Sequence, residues 1–427
     1  MAAGVLPAAA RQIGGAVPAL SLWRTQKNGP TGSRALDFAL LPLEAVAWAA
    51  GVALFAIAGY SILLFAIGSM PSPHAAPGAA DPAKVTVMVT ALGGSPVLGG
   101  TLRRADAIEH PDLQLLLALG TKGDGSAAAG GGLARPLDVF ESDEPLGKAH
   151  AMNSALARAE GDYLLLLDED SMVDPGCLRA TLPLAQDPGV WAVVGEPYAT
   201  NAGSGVIQRT LGLESGAWVA TARAKDRLGL FLPATGFFAL IRKASLPGGS
   251  PWDEDALAED TDLSLRQEAR GMRTRLSAAR VGIEAPSTLG DLARQRLRWY
   301  KGMFDALWKN RHLVAGLPLP KALDVTLTLL SPLGPAALVV LLLLAPLWPA
   351  LLGPVLAGAL VLYLLSAWAA SSGLKRGRLG VVLFSVPYVV AQGAVALAAL
   401  AAFLLHVRVR WQRTPKAADA GRRVAGA

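Results

Sequence analysis

The chain has 427 residues, of which 52% are hydrophobic and only 17% charged. Soluble domains usually carry about 25% charged residues, so a purely soluble protein is disfavoured, and the apolar content excludes disorder as the overall state. The single cysteine, Cys177, excludes a disulfide framework, and a net charge of +6 suits a membrane surface better than a nucleic acid, which is not expected as a partner.

The apolar excess is concentrated in two places. Residues 1–42 read as a cytoplasmic or peripheral segment and residues 43–69 as a transmembrane helix. Within the latter, 45–69 is a stretch of about 25 residues with no charge, and ~20 such residues cross ~30 Å of hydrocarbon. A cleaved signal peptide would be shorter and nearer to Met1. Residues 323–406 read as a transmembrane region of about three helices: two within 325–372, broken near Pro346 and Pro349, and one at 379–405. The positive-inside rule places both Lys375, Arg376 and Arg378 and the basic tail 407–427, with Arg408, Arg410, Arg413 and Lys416, in the cytoplasm. A single apolar segment separates these clusters, and Arg11, Arg24, Lys27 and Arg34 pose the same problem before the first span. Either one segment is re-entrant or interfacial, or one cluster faces outward.

Residues 70–80 are rich in Pro, Gly and Ala and read as a linker. Beyond them the apolar runs 85–89, 113–119, 163–168 and 190–196 alternate with helical patterns at 98–109, 148–159 and 175–184. Runs buried on both faces and separated by helices predict a parallel α/β sheet. Ligands of such sheets bind beyond the carboxyl ends of the strands.

Three motifs carry chemistry. LLLLDEDSMVDP brings Asp168, Glu169 and Asp170 to a strand end, where Asp168 and Asp170 have the spacing to share a hard divalent ion; a solvated acidic turn is the plain alternative. WDEDALAEDTDLSLR places Glu259, Asp260 and Asp262 ahead of a helix in which Leu263 and Leu265 are expected to pack. Helix capping explains these acids, and so does a general base. In DLARQRLRWYKGMFDALWKNRHL, the residues Leu292, Trp299, Met303, Phe304, Leu307 and Trp308 recur at helical spacing opposite Arg294, Arg298, Lys301, Lys309 and Arg311. The segment 291–316 reads as a basic amphipathic helix on a membrane surface.

Taken together, D-E-D after an apolar strand, E-D about 90 residues on, and Q-x-x-R-W ahead of membrane spans closely resemble the membrane-bound family 2 glycosyltransferases. That family includes cellulose, hyaluronan and poly-N-acetylglucosamine synthases and ceramide glucosyltransferases. Gly147, Lys148, Ala149, Asn153, Ala155 and Leu156 resemble its K-A-x-x-x-N-x-A-L segment. ATGFFALIRKASL (234–246) is similar to its acceptor-site loop, and WQRTPK (411–416) to its W-x-K-T-x-H/K tail.

The resemblance implies an α/β GT-A fold, a Rossmann-like nucleotide-sugar domain over 84–290 with flanking transmembrane helices. It implies inverting transfer of a sugar from a nucleotide sugar, such as a UDP-sugar, to a growing polysaccharide at the cytoplasmic face of the inner (plasma) membrane. A lipid acceptor or an inactive scaffold are the alternatives. Asp168 and Asp170 would hold Mg²⁺ or Mn²⁺, and Asp260 would be the base. Lys148, Asp168 and Asp124 would bind the donor nucleotide, while Glu259, Gln295, Arg298, Trp299, Thr235 and Gly236 would hold diphosphate and acceptor. Membrane lipids, a partner subunit or a second copy of the chain are expected partners. The chain departs from the family at two strand ends. The first ends VTALGGSP instead of P-x-Y-N-E, and the second lacks its terminal Asp, leaving Asp124 as the nearest acid.

Overall fold

The computed structural model describes residues 33–71, 80–91, 95–123, 126–144, 146–203, 205–371 and 377–409. Asp124, most of the 70–80 linker, Lys375, Arg376 and the WQRTPK tail lie outside the described residues. The chain divides into two units, Met1–Ala50 and Gly51–Ala427. The described part of the first unit is the opening of helix α1 (Ser33–Ser69), and everything that follows concerns the second.

The α/β part follows in the order β1 (Val85–Ala91), α2 (Leu98–Asp106), β2 (Leu113–Leu119), β3 (Leu137–Glu141), α3 (Lys148–Ala155), β4 (Tyr163–Asp168), β5 (Met172–Val173) and α4 (Cys177–Ala185). It continues with β6 (Val190–Ala199), α5 (Val206–Leu228), β7 (Ala239–Arg242), α6 (Glu259–Ala269) and β8 (Arg273–Ile283). Next come α7 (Leu289–Lys309), α8 (Arg311–Ala315), α9 (Leu319–Leu329), α10 (Leu333–Leu344), α11 (Pro349–Ala370) and α12 (Arg378–Leu404).

The eight strands form one sheet in the order β3-β2-β1-β4-β7-β6-β8-β5. Strands β1, β2 and β4 run parallel, as their apolar runs predict, and β3, which no predicted run covers, joins β2 in the same direction. The expectation of an all-parallel sheet is corrected at β7, which is antiparallel to both β4 and β6, and at β5, antiparallel to β8. The physical reason is the route of the chain. After α5 it re-enters the sheet at the carboxyl end of β4, so β7 must run the other way. Its register pairs Ala239 with Leu166, which brings the preceding residues 235–237 level with the end of β4.

Alternation along β1 divides the core. Val85, Val87 and Val89 pack with Leu98 and Leu102 of α2 and Leu178 of α4, while Met88 faces Ala151, Met152 and Ala155 of α3. Both faces are covered, which is why these strands read as unbroken apolar runs.

Among the described residues three helices are long and apolar enough to cross a membrane: 41–69, α11 and α12. A fourth candidate is the α9–α10 pair, bent by 58° at residues 330–332. The predicted break near Pro346 and Pro349 falls between α10 and α11. Helix α1 meets α5 backbone to backbone. A Cβ on Gly68 would lie 1.6 Å from the Ala220 carbonyl oxygen, so no other residue fits without separating the helices. Arg227 of α5 donates to the carbonyls of Ile67 (2.7 Å) and Met70 (2.8 Å), satisfying the end of α1 with a cation where the helix dipole is negative.

Candidate active site

The site forms where the carboxyl end of β4, the loop before β7 and the first turn of α6 meet. Asp168 closes β4, and Ser171 N donates to its carbonyl at 3.0 Å, which turns the chain. Within this turn Glu169 is buried, while Asp168 and Asp170 remain partly exposed. Asp170 Oδ2 accepts from Glu284 N at 3.3 Å, so it leans toward the end of β8.

Lys148, the first residue of α3, reaches across to this strand end. Its Nζ lies 2.5 Å from Asp168 Oδ1 and 3.4 Å from Glu259 Oε1. Burial alone would lower the ammonium, but Asp168, Glu259 and Asp260 outweigh it and hold Lys148 above its ordinary value. It is therefore a fixed positive charge.

The loop before β7 passes directly beside this pair. Gly236 N donates to Asp260 Oδ2 at 3.2 Å. A Cβ on Gly236 would stand 2.6 Å from Lys148 Nζ and 3.2 Å from Asp168 Oδ2, so only glycine lets the backbone approach without displacing the lysine. Thr235 Oγ1 bonds to Phe238 O at 3.0 Å and shapes the turn. Ala234 N donates to Ser264 Oγ (2.9 Å), which donates to Asp260 O (2.6 Å), stitching the loop to α6. The space enclosed beside Gly236 is about 10 Å³, room for no more than a water.

Asp260 is the second residue of α6, and Thr261 N donates to its Oδ1 at 2.7 Å. Its carboxyl is nevertheless pushed up to about 6, by burial first and then by the like charge of Glu259, against the opposing pull of Lys148 and this backbone bond. Leu263 and Leu265 are buried, as expected.

Helix α7 supplies the remaining wall. Arg298 lies within the electrostatic reach of Glu259, Asp168 and Asp260. Burial lowers its guanidinium and these carboxylates pull the other way. Gln295 sits three residues earlier on the same helix face. Trp299 is 37% exposed, and the Arg296 guanidinium lies 4.4 Å from its ring centre. The expected basic outer face of this helix is corrected in part. Lys301 is buried and paired with Asp305 at 2.7 Å, and Arg298 turns toward the carboxylates because the apolar stripe does not shield them. Leu292 and Phe304 are buried, whereas Trp308 is exposed.

The structure thus brings Lys148, Asp168, Gly236, Glu259, Asp260 and Arg298 together, with Thr235 in the same loop. Asp170 follows Asp168 by two residues but bonds toward β8. Sequence reasoning missed Trp252, whose backbone is gripped at both ends by Asn153 (2.7 and 3.1 Å), tying α3 to the segment before α6. It also missed Arg296, which stands between Gln295 and Arg298. The signal was present in its i, i+3 relation to Trp299.

A divalent ion fits the donor chemistry of this strand end. Asp168 and Asp170 offer hard carboxylate oxygens and both are partly exposed, Asp168 bonded to Lys148 and Asp170 to Glu284 N. Among the described residues no group of three or more acidic, His or Cys side chains is placed to cage a metal. Two carboxylates completed by phosphate oxygens and water is the usual arrangement for Mg²⁺.

A family model described as glycosyl transferase family group 2 matches residues 163–405, more than half of the chain. The chain is 26% identical over 231 residues to the poly-beta-1,6-N-acetyl-D-glucosamine synthase of Staphylococcus aureus, covering 53% of this chain and 56% of that protein. It is 22% identical to the Staphylococcus epidermidis protein of the same name over the same shares. The chain therefore spans about half the length of the curated relatives it matches. A solved mannosyltransferase from Pyrobaculum calidifontis, in complex with GDP-Man and Mn²⁺, is similar in fold, with a TM-score of 0.62, 20% identity, and coverage of 86% of this chain and 100% of that one. The chain belongs to glycosyl transferase family group 2 and is a GT-A glycosyltransferase with long apolar helices flanking its nucleotide-sugar domain.

Proposed function

We propose that the protein transfers N-acetylglucosamine from a UDP-sugar to a growing polysaccharide at the cytoplasmic face of the membrane, with inversion at the anomeric carbon. The observation that carries the reading is the meeting of Asp260, raised toward neutrality, with the Lys148–Asp168 pair beneath Gly236. The choice of sugar follows the names of the curated relatives.

In this reading Asp260 takes the proton of the acceptor hydroxyl. The freed oxygen bonds to the anomeric carbon, and the bond from that carbon to the diphosphate breaks with its electron pair. A base titrating near the working pH is the efficient one. Asp168 and Asp170 would hold Mg²⁺ or Mn²⁺, which when bound neutralises charge on the leaving diphosphate. Lys148 and Arg298 carry fixed positive charge toward the same diphosphate, Arg298 with a bidentate fork. Gln295 would orient it, Glu259 would accept from the acceptor's hydroxyls, and Thr235 and Gly236 leave room for the acceptor. The Trp299 indole would support the apolar face of the acceptor sugar. Asp124 would contact the nucleotide.

In this reading α12 lies along the membrane surface and does not cross. It runs beside α7, with Gln392 bonded to Tyr300 and Phe403 packed on Phe304 and Trp308. A helix laid along the boundary of the catalytic domain returns to the side it left. Both basic flanks, 375–378 and 408–416, then satisfy the positive-inside rule.

The test is incubation of purified protein with radiolabelled UDP-N-acetylglucosamine and Mg²⁺ or Mn²⁺, followed by product sizing and organic extraction. Polymer that disappears on chelation supports the reading. Label in the organic phase identifies a lipid acceptor instead, and no transfer with any nucleotide sugar rejects catalysis.

A further inference from the structure

We infer that Glu214, Tyr388 and Gln392 are positioning residues: a closed circuit of polar contacts leaving α7, crossing α5 and α12 and returning to α7, sets the orientation of the Trp299 indole and hence the hold on the acceptor. This rests on the reading of Trp299 as the sugar platform.

The circuit begins at Arg296, a buried guanidinium. Its Nη2 donates to Glu214 Oε2 of α5 at 2.9 Å. The same carboxylate oxygen accepts from the Tyr388 hydroxyl of α12 at 2.6 Å. Gln392, one helical turn on, donates through Nε2 to that hydroxyl at 2.6 Å. Its Oε1 accepts from the Tyr300 hydroxyl at 2.9 Å, back on α7. Every donor and acceptor has one consistent role, and all the bonds run toward the carboxylate, so each strengthens the next.

Trp299 lies between the two ends of this circuit, at 296 and 300. The Arg296 guanidinium covers one face of its ring at 4.4 Å, and the indole remains 37% exposed for a sugar. Arg296 cannot swing aside without leaving its own buried charge unpaired, which is costly. The indole therefore inherits the placement of Glu214, and Glu214 that of α12. Nothing in the transfer chemistry requires Tyr388 or Gln392, yet both present polar groups from an otherwise apolar helix to this one point.

The experiment uses the full chain in nanodiscs, with Glu214→Gln, Tyr388→Phe and Gln392→Leu, each also made in a Trp299→Phe background. Subtracting near-ultraviolet circular dichroism of each pair isolates the Trp299 signal. The expected result is a Trp299 band altered in Glu214→Gln and Tyr388→Phe. With UDP-N-acetylglucosamine and an N-acetylglucosamine oligosaccharide primer, the primer KM should rise about tenfold, the scale of a small misplacement, while primer-independent donor hydrolysis stays at the wild-type rate. Tyr388→Phe removes one oxygen and keeps the ring, so it decides the matter even where Glu214→Gln folds poorly. A wild-type Trp299 band with a wild-type primer KM in Tyr388→Phe overturns the inference. If wild-type protein turns over no UDP-N-acetylglucosamine, the functional reading fails while the Trp299 band still judges the positioning.

Discussion

Asp260 carries two opposed demands in one side chain. At the start of α6 a carboxylate is favoured by the helix dipole, yet burial beside Glu259 raises its proton affinity to about 6. Between the ordinary Asp value and about 6 the folded state holds a proton that the unfolded chain lacks. Stability from this group therefore increases as pH falls through that window, and at pH 7 its ionised form costs stability. Asp260→Asn should raise the melting temperature at pH 7 by a few degrees, about what 1 kcal/mol yields in a domain of this size. It should lower transfer by about 10²–10⁴-fold, the usual worth of a positioned base. Differential scanning fluorimetry and the radiolabel assay read the two effects. The wild-type rate should fall as pH drops below about 6. A lower melting temperature in the variant, or a rate indifferent to pH, rejects the assignment of Asp260 as base.

At the scale of elements, the strands legible in the sequence are those with both faces covered. VTVMV, LQLLLAL, YLLLLD and VWAVVGE are apolar because two layers of helices enclose them. Strand β8, RTRLSAARVGI, alternates buried and exposed positions and interleaves three arginines, so it reads as surface. Strand β7 has only four residues. Helix α5 buries Gln208, Thr210, Lys225 and Asp226 alongside Leu211 and three alanines, which blurs its periodicity. Helix α12 raises the opposite problem: composition marks it as a span, while Ser385 and Gln392 are buried on its inner side. Its placement along α7 predicts that Ser372→Cys and Ala420→Cys both react with an impermeant maleimide only from the cytoplasmic side. Cys177 gives no background, being buried with its thiol pushed up to about 12. Labelling of the two positions from opposite sides shows that α12 crosses.

Across the whole molecule, the loop before β7 is tied to the apolar helices by a buried ion pair. Lys225 of α5 lies 2.7 Å from Asp324 of α9, also donating to Phe231 O (3.0 Å) and Thr328 Oγ1 (2.5 Å). Asp324 accepts in turn from Phe231 N (2.5 Å) and from the Tyr60 hydroxyl of α1. Phe231 begins the segment that leads to Thr235 and Gly236, so three helices and the loop before β7 share this point. Removing Lys225 leaves the Asp324 carboxylate buried without a countercharge, so Lys225→Met should destabilise by about 3–5 kcal/mol. The paired change Lys225→Met with Asp324→Leu should recover part of that loss, because no unpaired charge remains. Thermal unfolding of the three proteins in one detergent checks this. A single variant as stable as wild type would show that the pair contributes nothing.

By itself the sequence determined the apolar helices, the α/β alternation and the acidic and Q-x-x-R-W motifs, because each of these is a local pattern of residue types within a few turns or one strand. Tertiary structure alone decided which groups share a cluster. Lys148, Asp168, Gly236, Asp260 and Arg298 come from five elements or loops, and their meeting depends on the reversed direction of β7 and the close approach of a glycine backbone. It alone decided the Glu214–Arg296–Tyr388 circuit as well, since a partner 82 or 174 residues away leaves no local trace in composition or period.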